Sequence, residues 1–345
     1  MKNIILIMNK KTHLILLLLI FNFLLINVEA KKEIDYSDFI NQINENINIT
    51  NLVNTTAKLC ENNSRITGTI NCNYSALYIK KMLENQNMTQ VYFESFPYNN
   101  TKTLNVIGQL KNVTTYNSNI LIMAHYDSIS EDGPAPGAND NAASFAGILE
   151  IVRILQIILN DTLIYRNLIV LSTSGEEEGL YGSRYWIMNN PEILSTLISV
   201  INFDMIGWGD YHTIIGDENS QWLSNFIIEC SKLISVEISK SHAIYPSTIK
   251  SDHANFMNIN IPTVWIFERD EYYPYMHTSL DTPDRINYLT VANCVRLFTL
   301  VIYRMMTESD ETSNSIITIG IIIIIGVMIP ILIYIMKINK IYYKK

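Results

Sequence analysis

Cysteine is scarce in this chain of 345 residues: only Cys60, Cys72, Cys230 and Cys294 are present, and no two stand in CxxC spacing. A zinc–thiolate site of the usual spacing is therefore not expected. The even count permits disulfides in an oxidising compartment. Cys60 with Cys72 is the easiest pair to imagine, because the loop between them is short. Positive charge is short as well, with 25 Lys and Arg against 33 Asp and Glu and a net charge of −8. No basic patch interrupts that balance, which argues against a nucleic-acid partner. No internal repeat is visible, which argues against a solenoid or repeat array.

Near each end lies a long run without charge, and there the absence carries information. Lys10 and Lys11 precede an apolar stretch, Leu14–Ile26, followed by Val28-Glu29-Ala30. A basic start, an apolar run and a small-x-small site predict a signal peptide over residues 1–30. Ile316–Met336 carries no charge and is long enough to cross a bilayer. Lys337, Lys340, Lys344 and Lys345 follow it, which by the positive-inside rule predicts a cytoplasmic tail over 337–345. The expected organisation is a lumenal or extracellular domain over 31–315, one transmembrane helix over 316–336, and a short tail. This is the topology of a single-pass type I membrane protein of the secretory pathway. N-x-S/T sequons begin at Asn48, Asn54, Asn62, Asn73, Asn87, Asn99, Asn112 and Asn160, so N-glycans are expected on that domain.

Between the ends, strand-like and helix-like patterns alternate. "SALYIKKMLE" from Ser75 has helical periodicity, while "VYFESF" from Val91 and "LNVIGQL" from Leu104 read as strands. "NILIMAHYD", "NLIVLSTS", "ISVINFDMIG" and "IPTVWIF" begin as continuous apolar runs, the mark of strands covered on both faces. Ala142–Gln156 and Leu289–Met306 have apolar residues at helical spacing. The pattern predicts an α/β fold with a mainly parallel, doubly wound sheet and helices on both faces. Ligands of such sheets gather beyond the carboxyl ends of the strands.

The polar residues that interrupt these runs then have an address. His125 and Asp127 follow the strand "NILIMA". Glu176, Glu177 and Glu178 follow "NLIVLSTS". Asp204 follows "SVINF". Asp140 lies in "GPAPGANDNAAS" just before a helix, among small residues that leave its carboxylate uncovered. His277 lies in a loop after the last strand. Singly, each has an ordinary explanation: a polar strand end, an N-cap, a turn, or an acidic helix start. Together, two histidines and several carboxylates at successive strand ends suit two divalent ions. The N/O donor set favours zinc, with cobalt or manganese as substitutes. Two ions about 4 Å apart can polarise a carbonyl and make a water acidic. A general base is then needed, and one of the neighbouring glutamates can serve if the other is tied to metal.

The segments "AHYDS", "PGANDNAAS", "GEEEGLYGS", "INFDMIG", "SDHANF" and "MHTSLDTPDRI" resemble, in order, the motifs of the M28 zinc peptidases. That family includes secreted leucyl aminopeptidases, glutamate carboxypeptidases and glutaminyl cyclases. The resemblance spans about Arg65 to Met306 and implies a two-zinc exopeptidase acting on peptides, most readily an aminopeptidase. It implies His125 and Asp204 on one zinc, Glu177 and His277 on the other, and Asp140 bridging them through a residue joined to Asn141 by a cis peptide. It implies Glu176 as general base and Asp127 as the partner of His125. Glu178 is left for solvent.

Two departures stand out. Bacterial aminopeptidases carry a tyrosine shortly before the SDH motif. Here Thr248 falls near that place and Tyr245 is out of register. The stretch from Leu104 to Asp127 also leaves no room for an inserted protease-associated domain. Two other functions remain open. A glutaminyl cyclase would keep one zinc on Asp140, Glu177 and His277. A non-catalytic ectodomain would have lost ligands, and this sequence has lost none.

Overall fold

The computed structural model describes residues 35–61, 64–110, 118–159, 162–242, 251–268 and 273–309. The expected signal peptide, transmembrane helix and tail lie outside them, as do Thr248 and Tyr245. The chain divides into two units, 1–38 and 39–345, and the architecture that follows belongs to the second.

Eight strands form one sheet. β1 (Gln90–Tyr98) and β2 (Thr101–Gln109) make a hairpin at one side. β3 (Asn119–His125), β4 (Asn167–Thr173), β5 (Leu197–Phe203) and β8 (Thr263–Glu268) make the centre. β6 (His212–Gly216) and β7 (Ile238–His242) close the far side. The order is β1-β2-β4-β3-β5-β8-β6-β7. The four central strands are mutually parallel, whereas β2 joins β4, and β6 joins β8, antiparallel. The sheet is therefore mixed at its flanks and parallel where the site residues leave it.

Burial explains the apolar runs. Every residue of β4 is buried, and β3 and β5 are nearly so. Alternate side chains serve opposite faces. Leu121, Met123, Ile169, Leu171 and Val200 pack with Trp186 and Phe256, from helices Tyr181–Asn189 and His253–Met257. On β5, Phe203 points to the other face and meets Phe298 edge-on, ring centroids 4.9 Å apart. Phe298 belongs to the long helix Tyr288–Thr307, which packs beside helix Ala143–Ile158. Among the described residues, stretches Ala138–Ile158 and Tyr288–Thr307 are long and apolar enough to cross a membrane, but both are mostly buried inside the fold.

Local details depart from the sequence reading in instructive ways. The helix expected from Ser75 begins at Ile70, where the Thr69 hydroxyl accepts from Cys72 N. Two helices, Ser37–Asn46 and Ile49–Cys60, lie in an asparagine-rich stretch whose low helix propensity hides them. Asn48 caps the second, accepting from the backbone of Thr50 and Asn51. Cys60 and Cys72 do not pair: all four cysteines are free and buried. Cys60 Sγ lies beside the Arg65 guanidinium and Cys72 Sγ beside the Ser174 hydroxyl. Each thiol has a separate packing role, so a short loop in sequence did not make a bridge. Of the sequon asparagines, Asn48, Asn54, Asn87 and Asn99 are exposed, and Asn73 sits within helix Ile70–Asn85 with its side-chain oxygen buried. Asn62, Asn112 and Asn160 lie outside the described residues.

Trp186 is fully buried against Phe256 and the odd-numbered face of β3 and β4. Trp186→Ala is expected to cost about 3–5 kcal/mol of stability. Urea unfolding followed by circular dichroism measures it, and a loss below about 1 kcal/mol would contradict this packing.

Candidate metal centre

The central strands end in step, and their ends supply the site. His125 is the last residue of β3, Asp204 follows β5 directly, and Glu176 and Glu177 lie three and four residues beyond β4. Asp140 sits in a single wide turn, Ala138–Ala142, which leads into helix Ala143–Ile158. Its peptide bond to Asn141 is cis, as the resemblance implied. Gly137 enters this turn with φ of +55°, and a Cβ there would lie 2.3 Å from the Asp140 carbonyl oxygen. Only glycine fits that position. His277 reaches in from the loop after β8, with φ of +56°, an uncommon backbone state for a residue with a side chain.

Asp140 is the hub. Its Oδ1 lies 3.1 Å from His125 Nε2, and its Oδ2 lies 3.2 Å from His277 Nε2. His125 Nε2 also faces Asp204 Oδ1 at 3.4 Å, and His277 Nε2 faces Glu177 Oε2 at 3.1 Å. Two groups emerge, each gathering ligand atoms within 4.8 Å of one another: His125, Asp140 and Glu177, and His125, Glu176 and Asp204. Asp204 Oδ1 and Glu177 Oε1 are buried without a hydrogen-bond donor. Buried carboxylate oxygens with no donor are costly unless a cation meets them. A set of imidazole nitrogens and carboxylate oxygens, with no thiolate among them, suits zinc. Glu178 is exposed, as expected.

The electrostatics follow from crowding. Burial pushes the Glu176 carboxyl well above the usual range, and the charges of Asp204, Asp252 and Glu177 add to the rise against His125. Burial, then the charge of Asp140, raises Glu177 to about 8. Burial also acts to raise Asp140, but hydrogen bonds from His125 and His277 outweigh it and hold this carboxyl below its ordinary value. His277 is raised to about 10, chiefly by its hydrogen bonds to Asp140 and Glu177. For His125, burial opposes protonation, yet the charges of Glu176 and Asp204 carry its pKa well above 6.5.

Asp127 stands beside His125, with its main chain as well as its carboxylate near the imidazole. β3 ends at His125, so Asp127 lies beyond the strand. The Asp127 carbonyl oxygen lies 3.2 Å from His125 Nδ1, nearer than its carboxylate at 3.6 Å. The carboxylate mainly braces the glutamates. Its oxygens accept from Glu176 N and Glu177 N, both at 3.3 Å, and from the Thr67 hydroxyl at 2.9 Å.

Several residues of the site were not singled out in the sequence. Asp281, within "MHTSLDT", accepts from Asn139 N at 2.8 Å, Asp140 N at 3.0 Å and the Tyr273 hydroxyl at 2.6 Å. Arg65 is fully buried and donates to the carbonyls of Tyr126 and Gly137 at 2.6 and 2.8 Å, and also to that of Pro136. Asp252 accepts from the hydroxyls of Thr173 and Ser183 behind the glutamate turn. Asn139, Asn141 and Glu268 line the back of the Asp140 turn. The signal available was a charged or amide residue inside a run of small or apolar ones.

A sequence profile of peptidase family M28 matches residues 105–302. Aminopeptidase YwaD of Bacillus subtilis is 26% identical over 224 residues, covering 62% of this chain and 47% of YwaD. The chain spans about half the length of the curated relatives it matches. Among solved structures, the LapA aminopeptidase of Legionella pneumophila superposes with a TM-score of 0.69 at 22% identity, covering 82% of this chain and 79% of LapA. BSAP, a zinc aminopeptidase from Bacillus subtilis, gives 0.66 at 16% identity, covering 75% of this chain and 95% of BSAP. These likenesses show the fold.

The raised values have a consequence for stability. Between 6.5 and about 10, folded His277 holds a proton that the unfolded chain releases, and between 4.5 and about 8 folded Glu177 does the same. Where the native state binds more protons, stability falls as pH rises. Asp140 acts oppositely, but only in acid, where its contribution is lost as pH falls. The chelator-treated protein should therefore lose Tm steadily from pH 6 to 10, and His277→Gln should flatten that slope. Calorimetry across this range tests it; a Tm that rises with pH would contradict the pairing.

Proposed function

The chain belongs to peptidase family M28, and from that premise we propose that it is a two-zinc aminopeptidase releasing residues from the free amino end of peptides. The observation that carries the reading is Asp140, whose two oxygens face two different histidine nitrogens at 3.1 and 3.2 Å. A carboxylate so placed can serve two cations at once. His125 and Asp204 would hold one zinc, Glu177 and His277 the other, and Asp140 both. Buried Asp204 Oδ1 and Glu177 Oε1, which have no hydrogen-bond donor, support that assignment.

Bound there, the two ions would polarise the scissile carbonyl and lower the pKa of a water between them. The remaining work belongs to side chains. Glu176 is buried beside His125 and Asp204, and its carboxyl is raised. A carboxyl tuned upward can take the proton of the attacking water and return it to the departing amine. Asp127 holds Glu176 and Glu177 by their backbone amides, so the base and its ligand neighbour keep fixed, different directions. A one-zinc cyclase would leave Asp204 Oδ1 with no hydrogen-bond donor and only His125 Nε2 facing it at 3.4 Å, which favours the two-ion reading.

We also propose that residues 1–30 are a cleaved leader, that 316–336 span a membrane, and that the domain between is lumenal and glycosylated. Protease added outside intact microsomes should spare the domain, and its digestion would refute this topology.

The neighbouring glutamates separate in one experiment. Glu176→Gln should keep both zincs and lose about 10²–10⁴ in rate, on kcat more than KM, because the proton moves in the transition state. Glu177→Gln should weaken one zinc, and Glu178→Gln should do little. Zinc per chain beside kcat for the three variants is the measurement. Near-normal kcat in Glu176→Gln with a dead Glu178→Gln that keeps its metals would overturn the assignment.

A further inference from the structure

Two asparagines flank the bridging aspartate, and both are fully buried. Asn141 Nδ2 donates to the Phe203 carbonyl at 2.9 Å, and its Oδ1 accepts from Met205 N at 3.2 Å. Asn139 Oδ1 accepts from Gly207 N at 2.8 Å, and its Nδ2 donates to Glu268 Oε2 at 2.7 Å. The gripped backbone groups belong to residues 203, 205 and 207, so they straddle Asp204 just as the asparagines straddle Asp140. Glu268 closes the loop, because its own N–H donates to the Met205 carbonyl at 3.1 Å. Asp140 and Asp204 meanwhile converge on the same nitrogen, His125 Nε2.

A planar amide offers one donor and one acceptor side by side. Asn141 uses the pair on a carbonyl and an N–H two residues apart, a match that aspartate could not make, since one oxygen would face the Phe203 carbonyl. The Asp140 turn cannot shift along the end of β5 without breaking these bonds, and in a dry site no water replaces them.

We propose that Asn141 and Asn139 are positioning residues that fix the interval between Asp140 and Asp204, and through it the spacing of the two metal positions. The inference rests on the two-zinc reading above. Both amides spend their hydrogen bonds on backbone groups and on Glu268. Their effect passes through the two aspartates, so it should fall on metal affinity before it falls on chemistry. Outer residues that orient metal ligands typically contribute about 10–100-fold to metal affinity.

The test is a chelator-competition titration that yields two zinc dissociation constants for the purified full chain, with Tm measured beside it. Asn141→Ala and Asn139→Ala are compared with Glu150→Gln. Glu150 is equally buried, but it braces Asn48 and Asn51 away from the site. Asn141→Asp is included in case an alanine variant fails to fold, because it is isosteric and still accepts from Met205 N. The asparagine variants should weaken at least one zinc by about 10–100-fold, while Glu150→Gln lowers Tm and leaves both constants at the wild-type level. The proposal is overturned if the asparagine variants that fold bind both zincs as wild type does, or if Glu150→Gln weakens zinc as much as they do. A wild-type chain that takes up fewer than two zincs overturns the metal reading, and the proposal with it. Two zincs on wild type and unchanged constants in the variants overturn the positioning claim alone.

Discussion

Four carboxyl groups, Asp140, Glu176, Glu177 and Asp204, meet the buried imidazole of His125 and the partly exposed one of His277, and the rest of the structure depends on keeping them together. Two like charges 4 Å apart repel by about 4 kcal/mol even at an effective dielectric constant near 20. Burial, with the charges of neighbouring carboxylates added to it, raises the carboxyls of Glu176 and Glu177, and the carboxylates in turn raise the imidazoles of His125 and His277. Without a cation, protons must supply the positive charge. With two divalent ions, all of these groups except Glu176 would become ligands, and the crowding would become affinity.

The scaffold meets this constraint by bracing the site from behind. Three braces hold the parts separately: Asp127 the glutamate turn, Asp281 the amides of Asn139 and Asp140, and Arg65 the carbonyls of Tyr126, Pro136 and Gly137. None of these residues needs to meet a substrate. They explain why a site built on turns can stay fixed: each turn is tied to a parallel strand on one side and to a buried polar group on the other. The asparagines beside Asp140 complete the set by tying two ligand turns to each other.

The parts of the fold that announced themselves were those whose burial is uniform. β3, β4 and β5 read as apolar runs because both faces are covered, and their polar ends then stood out by contrast. β6 and β7 went unread because each is only five residues long, and β7 is polar from Ser239 to His242. The helix Ser37–Asn46 escaped because asparagine and charge outnumber its apolar residues. In the site, His125, Asp140, Glu177, Asp204 and His277 were recognisable by type and place. Their braces were not. A buried Arg65 whose partners are carbonyls and the Cys60 thiol leaves no charge partner to look for in the sequence. The function of Asn139 and Asn141 depends on backbone groups more than 60 residues away, which local sequence does not display. Cys60 and Cys72, the pair easiest to imagine bridged, stay apart for a related reason: spacing along the chain says nothing of which neighbour each thiol packs against.

Crystals of the purified protein, recorded on both sides of the zinc absorption edge, test the central claim that one aspartate bridges two metal ions. The account requires two anomalous peaks about 4 Å apart. Each should lie about 2.0–2.2 Å from a different oxygen of Asp140. His125 and Asp204 should flank one peak, and Glu177 and His277 the other. A single peak, or two peaks that leave Asp140 bound to neither or to only one, would contradict it.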